Sequence, residues 1–356
     1  MRLASVEVIP YALPFEKPYV TARGRLERRE MVLLRLRSDD GLVGLGEAVP
    51  LSLRGGAPMA RIVAELEGLA EREEVDEEAL GDGAVALSAP ARCAALMALL
   101  DLRGRRAAGQ AETPPAGATP DPVECNATLV AGEPAAVAAD AERWASEGFS
   151  TFKLKLGVGD DVAQVRATRE ALGAEARIRV DANAAWDVEA ARRMLKEIER
   201  FDVELAEQPV ATLEEAARVS DSTSIPLAGD ESIENRRDAV RAVKLGACKL
   251  AALKLSKVGG PEEALAIAEV LPSFVSSALD GPVGIAAAAQ VAQTLDQAAL
   301  GIRRFAHGLA TQRLFVSTIA STQCELRDGM LHLPSGPGLG VEIDEEALRA
   351  HRLDLR

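Results

Sequence analysis

The chain has 356 residues, 48% of them hydrophobic, and a formal net charge of −14, which is room for one barrel of about 200 to 250 residues plus a smaller domain. The acidic balance, with no Lys/Arg-rich stripe and no basic-aromatic interleaving, argues against nucleic acid or an acidic membrane surface as partner. No apolar stretch approaches about 18 residues and the first residues lack the blocks of a signal peptide, so no membrane span and a cytoplasmic location are expected.

In chain order, residues 1–50 read as three alternating segments, "RLASVEVIPYALPF", "REMVLLRLRSDD" and "GLVGLGEAVP". The last two meet at an Asp-Asp-Gly turn, and together they predict an antiparallel meander. Residues 59–73 and 89–103 read as helices, and "AAGQAETPPAGATPDP" as a linker. Strand-like runs then alternate with helical spacing. They are "CNATLVA" (125–131) with a helix over 134–147, "FKLKLG" (152–157), "RIRVDAN" (177–183), "VELAEQP" (203–209), "IPLAGDES" (225–232), "CKLAALKLS" (248–256) and "SFVSSALDG" (273–281). A helix from Val283 to Leu295 and a last short strand near "HGLAT" (307–311) complete the series. Asp187, and Pro261 followed by two glutamates, mark helix starts. Alternation this regular predicts an α/β fold in which a parallel sheet closes into a (β/α)7-8 TIM-type barrel. The tail, with "CELRDGMLHLP" as two short strands around Asp328 and Gly329, cannot extend that repeat and is expected to return to the first domain. The predicted organisation is an α+β capping domain over 1–110, a barrel over 122–320, and a tail over 321–356 that completes the cap.

Five polar residues mark the strand ends. Lys155, Asp181, Glu207, Asp230 and Lys254 are spaced 26, 26, 23 and 24 residues apart, about one strand, one helix and two short loops each. In a closed barrel such a ladder becomes a ring of side chains around one mouth. Asp181, Glu207 and Asp230 offer hard oxygen ligands with no imidazole or thiolate in the pattern, which suits Mg²⁺ or Mn²⁺ and not Zn²⁺. Lys153 and Lys155 point to the same face of one strand, the barrel interior, with Phe152, Leu154 and Leu156 facing out. Their mutual repulsion, and a nearby divalent cation, favour a neutral amine able to remove a proton. Lys153 reads equally as a counter-ion to the acids. A base on one side and a Lewis acid on the substrate carboxylate suit chemistry α to a carboxylate.

Neighbouring residues have two readings each. Asn183 and Arg179 stand two residues either side of Asp181, as support for the acids or as ordinary strand-end hydrogen bonding. Ser276 and Ser277 are small residues that let a flat substrate approach, or simply let a helix pack closely. Tyr19–Arg25 and Pro50–Pro58 read as mobile loops over the mouth, from which Arg25 or Arg54 would meet a substrate carboxylate. Cys93, Cys125, Cys248 and Cys324 lack CxxC spacing and read as small buried residues.

"KLKLG", "VDANAAW", "AEQP", "GDES" and "LKLSKVGG", in that order and spacing, resemble the enolase superfamily in its muconate-cycloisomerase-like branch, over nearly the whole chain. The resemblance implies that Asp181, Glu207 and Asp230 bind Mg²⁺, that Lys155 is the acid/base on one face, and that Lys254 is the cation opposite. "SSALDGPVGIAAAAQVA" and "HGLAT" most resemble the o-succinylbenzoate synthases, lyases of menaquinone biosynthesis. That implies abstraction of the α-proton by Lys155, an enediolate, and loss of hydroxide from the same face. Racemases and epimerases of N-acyl amino acids or dipeptides, and muconate cycloisomerases, share this Lys/Mg site. The superfamily's histidine-based branch would need a His-Asp pair late in the barrel, and His307 is followed by Gly308. A Schiff-base aldolase would explain one interior lysine but not three acids in register.

Overall fold

The computed structural model describes residues 3–70, 84, 86–110, 120–299 and 304–354. Residues 71–73 of the first predicted helix and most of the predicted linker lie outside the described residues. The chain begins with the meander. β1 (Leu3–Thr21), β2 (Gly24–Ser38) and β3 (Val43–Ala48) form one antiparallel sheet in that order. The β2–β3 turn closes with Ser38 N donating to Leu42 O at 3.0 Å, and Gly41 takes the left-handed φ of 87° that the turn requires. β1 and β2 stay paired out to Thr21 and Gly24. Tyr19–Arg25, read from the sequence as a loop, is therefore the end of a two-stranded ladder.

Helices α1 (Met59–Ala70) and α2 (Ala89–Gln110) cover this sheet and bury Val32, Leu34 and Leu36 against Ile62, Leu66, Ala94 and Ala98. The alternation of those strand residues is what gives the sheet its apolar face. α2 lies so close to β3 that a Cβ at Gly46 would sit 2.8 Å from the Ala94 carbonyl carbon.

The barrel follows as β4 (Val123–Glu124), β5 (Ala127–Leu129), α3 (Pro134–Ser146), β6 (Thr151–Lys155), α4 (Asp161–Leu172), β7 (Arg177–Asp181), α5 (Val188–Ile198), β8 (Val203–Glu207), α6 (Leu213–Ser220), β9 (Leu227–Gly229), α7 (Arg236–Leu245), β10 (Leu250–Leu253), α8 (Leu255–Val258), α9 (Pro261–Ala268), β11 (Ser273–Val275) and α10 (Pro282–Ala298). Strands β5 to β11 lie side by side in chain order, all parallel. His307 and Gly308 supply the closing stave: Gly308 N donates to Val275 O at 2.8 Å, and Asn126 N donates to His307 O at 2.8 Å. Helix starts are fixed locally. Asp187 accepts the Ala190 amide, Thr212 and Glu215 form a reciprocal capping box, and Pro261 occupies the first turn of α9.

Alternation along each strand separates two environments. Phe152, Leu154, Ile178, Val180 and Leu253 join the core shared with the helices. Leu205, Ala228, Leu250, Ala252 and Phe274 pack together inside the ring. One predicted strand ends early. β10 stops at Leu253, and Lys254 opens the short helical turn α8, whereas the sequence reads as strand to Ser256.

The tail splits its contacts. β13 (Glu325–Arg327) and β14 (Met330–His332) form the expected hairpin about Asp328 and Gly329, but β14 pairs with β4 at the foot of the barrel. β12 (Ala320–Thr322) pairs with β15 (Glu342–Ile343). Other tail residues meet the N-terminal domain: Leu339 N donates to Asp101 Oδ1 of α2 at 2.7 Å, Arg35 meets Glu345 at 2.5 Å at the start of α11 (Glu345–His351), and beyond that helix Leu353 N donates to Pro10 O at 2.9 Å.

Candidate active site

In-register pairing assembles the ring. Lys155 is opposite Asp181, Asp181 opposite Glu207, and Glu207 opposite Ala228, two residues before Asp230. With a side-chain period of two, these groups share the inner face at the carboxyl ends of β6 to β9. All are buried. The five residues of the spacing ladder thus converge on one volume, as their repeat predicts.

The amines lie among the acids. Lys155 Nζ donates to Asp181 Oδ2 at 2.5 Å and to Asn183 Oδ1 at 3.0 Å. Lys153 Nζ bridges two carboxylates, 2.6 Å from Glu207 Oε2 and 3.0 Å from Asp181 Oδ2, which is the counter-ion reading of that residue. Lys254 Nζ bonds Asp230 Oδ2 and lies 4.0 Å from Glu207 Oε1. A fourth amine was not singled out from the sequence. Lys257, carried back toward the ring by α8, bonds the Asp230 carbonyl and lies 3.1 Å from its Oδ1. The signal was available in the three-residue interval between Lys254 and Lys257, which places both on one side of a helical turn.

Electrostatics follows from this arrangement. Burial alone would raise the Asp181 pKa, but Lys153 and Lys155 overcome it and hold the carboxyl well below its usual range. Glu207 is pushed up, by burial first and then by the Asp181 charge. Burial disfavours charge on Lys155, yet Asp181 and other nearby groups more than compensate, and its pKa is raised. The mutual repulsion of Lys153 and Lys155 expected from the sequence is therefore outweighed by the acids between and beside them.

The donor set can be tested against a divalent cation. Glu207 Oε1 is buried with no hydrogen-bond partner among the described residues, a costly state that a cation would relieve. The donors are carboxylate oxygens in neighbouring staves, which suits Mg²⁺ or Mn²⁺. Among the described residues, no three acidic, imidazole or thiol groups are already gathered as a ligand shell; the lysine amines stand between the acids instead. The residues fit such an ion, provided the amines yield their places beside the carboxylates.

Asn183 is held tightly. It sits at a left-handed φ of 47°, its amide donates to Asp181 Oδ1 at 2.9 Å, and its Nδ2 donates to Glu231 Oε1 at 3.1 Å. It orients both Lys155 and Asp181. Arg179 lies one layer below. A bulge in β8 leaves Glu204 unopposed and turned inward, 2.5 Å from Arg179 Nε, with the Phe274 ring 5.0 Å away from the guanidinium. Arg179 thus plugs the ring beneath the acids.

Above the ring lies a cavity of about 60 Å³. Lys153, Lys155, Asn183, Lys254, Ser276 and Ser277 line it from the barrel, and Tyr19, Thr21, Arg23, Arg29, Leu51 and Leu53 from the N-terminal domain. Ser276 N continues the ladder to Leu253 O at 2.7 Å, while Ser277 Oγ donates to Asp280 Oδ2 at 2.8 Å. The described cap arginines on this cavity are Arg23 and Arg29. Arg25 is exposed and pairs with Glu27 at 2.8 Å, and the Arg54 side chain lies outside what is described. Arg23 instead reaches Asn183 O at 2.9 Å and Arg29 reaches Ala278 O at 2.8 Å. Both come from the β1–β2 hairpin, whose length the sequence reading underestimated.

A His-Asp pair does exist, contrary to expectation, but elsewhere. His307 Nε2 lies 3.4 Å from Asp296 Oδ1, and its Nδ1 accepts the Val275 amide at 3.0 Å. Its ring lines a separate cavity with Leu271, Pro272 and Arg304. The four cysteines are unpaired and buried; burial pushes the Cys248 thiol up to about 11 and that of Cys324 to about 12.

Comparison with known proteins agrees with this geometry. The Enolase C-terminal domain-like family matches residues 136–347, and the Mandelate racemase / muconate lactonizing enzyme N-terminal domain matches residues 4–110. The chain is 38% identical over 241 residues to the o-succinylbenzoate synthase of Thermobifida fusca, covering 66% of this chain and 72% of that protein. It is similar to the crystal structure of the muconate lactonizing enzyme of Pseudomonas fluorescens complexed with muconolactone, with TM-score 0.89, 28% identity and 99% of each chain covered. It is also similar to the dipeptide epimerase of Enterococcus faecalis complexed with Mg and the dipeptide L-Leu-L-Tyr, with TM-score 0.84, 25% identity, and 96% of this chain and 100% of that one covered. Among the described residues no helix is long and apolar enough to cross a membrane. With both family domains matched along one chain and acids and lysines ringed at one barrel mouth, this protein belongs to the enolase superfamily, in its muconate-cycloisomerase-like branch.

Proposed function

We propose that the protein is a Mg²⁺-dependent o-succinylbenzoate synthase, a cytoplasmic lyase that removes water from a cyclohexadiene carboxylate. The observation that carries the chemistry is the ring itself, with Lys155 and Lys254 flanking three buried acids. The choice of dehydration is supported by the 38% identity to a synthase.

In this reading Asp181, Glu207 and Asp230 hold Mg²⁺, with Mn²⁺ as a substitute. The bound cation supplies Lewis-acid stabilisation of the substrate carboxylate. Were a cation held there, Asp181 would no longer keep Lys155 protonated, and the role of Lys155 would be to take the proton α to that carboxylate. Asn183, already bonded to Lys155, aims the amine. Lys254, on the other side, stabilises the enediolate by its charge. Protonated Lys155 then returns its proton to the leaving hydroxyl on the same face, and the ring becomes aromatic. Lys153 balances Asp181 and Glu207, Arg179 supports the acids from below, and Ser276 and Ser277 leave space for the substrate.

The test is turnover by purified protein with Mg²⁺ of the cyclohexadiene carboxylate precursor, beside N-succinyl amino acids, dipeptides and muconate. Dehydration of the first with inertness toward the rest supports the proposal. Exchange or epimerisation of the amino acid derivatives alone would replace it with an epimerase, and survival of activity in EDTA would remove the metal from it.

A further inference from the structure

Tyr19 is one of the polar residues of the cavity that the reading above leaves unused. It extends from β1 just beyond the bulge between Pro14 and Tyr19 and pairs in register with Leu26. Its ring is held in a stack: 5.7 Å from the Phe15 centroid at 26°, with Phe15 in turn 5.0 Å from Phe315 at 16°. Leu279 packs on the same group. The residue retains only 7% of its surface, and that remnant faces the cavities it lines. Its phenol has no hydrogen-bond partner among the described residues.

With the ring packed in that stack, the phenol is placed to meet a ligand in the cavity that Tyr19 lines. Tyr19 and Lys155 line the same cavity. Thr21, whose Oγ1 accepts the Arg23 amide at 3.1 Å, and Thr311 line the same cavity.

We propose that the Tyr19 phenol donates a hydrogen bond to the hydroxyl that leaves the substrate, holding it beside Lys155. The assignment rests on the dehydration reading. The α C–H bond breaks, its proton passes to neutral Lys155, and the electron pair enters the enediolate. The C–O bond then breaks with its pair on oxygen, and the Lys155 ammonium returns the proton to give water. Tyr19 keeps its own proton throughout; its hydrogen bond stabilises charge developing on the departing oxygen.

Tyr19→Phe keeps the ring stack and removes only this donor. On the cyclohexadiene carboxylate the variant is expected to lose on the order of 10²-fold in kcat, with KM within about twofold of the wild type. Recovered substrate in D₂O should gain deuterium at the α carbon, because the enediolate then returns more often than it eliminates. The melting temperature and Mg²⁺ affinity by calorimetry are expected to match the wild type. Unchanged kcat, or a loss of kcat with no gain of deuterium, overturns the role of Tyr19 while leaving the dehydration reading intact. A wild-type protein inert toward this substrate overturns both. Should Tyr19→Phe melt early, Tyr19→Trp, which keeps a ring and an N–H donor, must recover part of the lost kcat, and failure to do so counts against the assignment.

Discussion

Glu47 Oε1 accepts the Gly281 amide at 2.6 Å, so a carboxylate from β3 of the N-terminal domain caps the first turn of the barrel helix α10. Tyr11 donates to its other oxygen at 2.9 Å, and a Cβ at Gly284 would sit 2.7 Å from Oε1. Burial, then the Asp280 charge, raise the Glu47 pKa from 4.5 to about 7. A raised acid favours the folded state below its unfolded pKa and loses that contribution as pH rises through the folded value. From pH about 4.5 to about 8 the Glu47 contribution is expected to fall by about 3 kcal/mol. Glu47→Gln, which keeps an acceptor for Gly281, should remove this slope. Urea unfolding of both proteins at pH 5 and pH 8 measures it, and a constant difference between them would exclude the effect.

Divalent metal should stabilise the folded chain by binding Asp181, Glu207 and Asp230. With Mg²⁺ at 100 times its Kd the gain is about 2.7 kcal/mol, and EDTA should abolish it. Asp181→Asn, Glu207→Gln and Asp230→Asn should each lose the Mg²⁺-dependent rise in melting temperature. A rise that persists in all three variants would place the ion elsewhere.

Lys257 gives the same site a stability test. Lys257→Met takes one buried cation from Asp230 while Lys254 remains bonded to it. Without divalent metal the variant is expected to unfold about 3 kcal/mol more easily, the scale for leaving a buried charge under-compensated. Saturating Mg²⁺ should shrink that deficit, since the ion neutralises the same carboxylate. Denaturant midpoints with and without Mg²⁺ decide it; an equal deficit in both would mean that Lys257 acts through packing alone.

The two flanking lysines should fail differently. Lys155→Ala is expected to abolish exchange of the substrate α-proton with D₂O. Lys254→Ala should lower turnover by 10²-fold or more, on the order of the loss of one stabilising donor, while Mg²⁺ binding persists. NMR of recovered substrate and calorimetry of the metal-loaded variants separate the two. Retained exchange in Lys155→Ala would move the base to another residue.

Much of the barrel is legible from strand-end periodicity. Regular spacing from Lys155 to Lys254 implies equal staves, and the alternation of Phe152, Lys153, Leu154 and Lys155 says which face turns inward. The ring is assembled by exactly those local rules, so its members are found without coordinates. Less local features escape. The β1–β2 hairpin extends through Tyr19–Arg25 because its ladder pairs across the chain, and such pairing leaves little trace in composition. Arg23 and Arg29 rather than Arg25 consequently face the cavity. Likewise the 325–332 hairpin has a recognisable turn, but nothing in it names β4 as the strand it joins.

By itself the sequence determined the repeat, the direction of the strands, the identity of the ring and its oxygen-rich chemistry, because each depends on residues within about 25 positions of one another. Tertiary structure alone decided which charges meet: Lys153 bridging Asp181 and Glu207, Lys257 returning to Asp230, and Glu47 reaching Gly281 from another domain. The sign of the Lys155 shift was decided there too. Repulsion between neighbours can be read from a strand, but the stronger attraction of acids on adjacent staves exists only once the cylinder has closed.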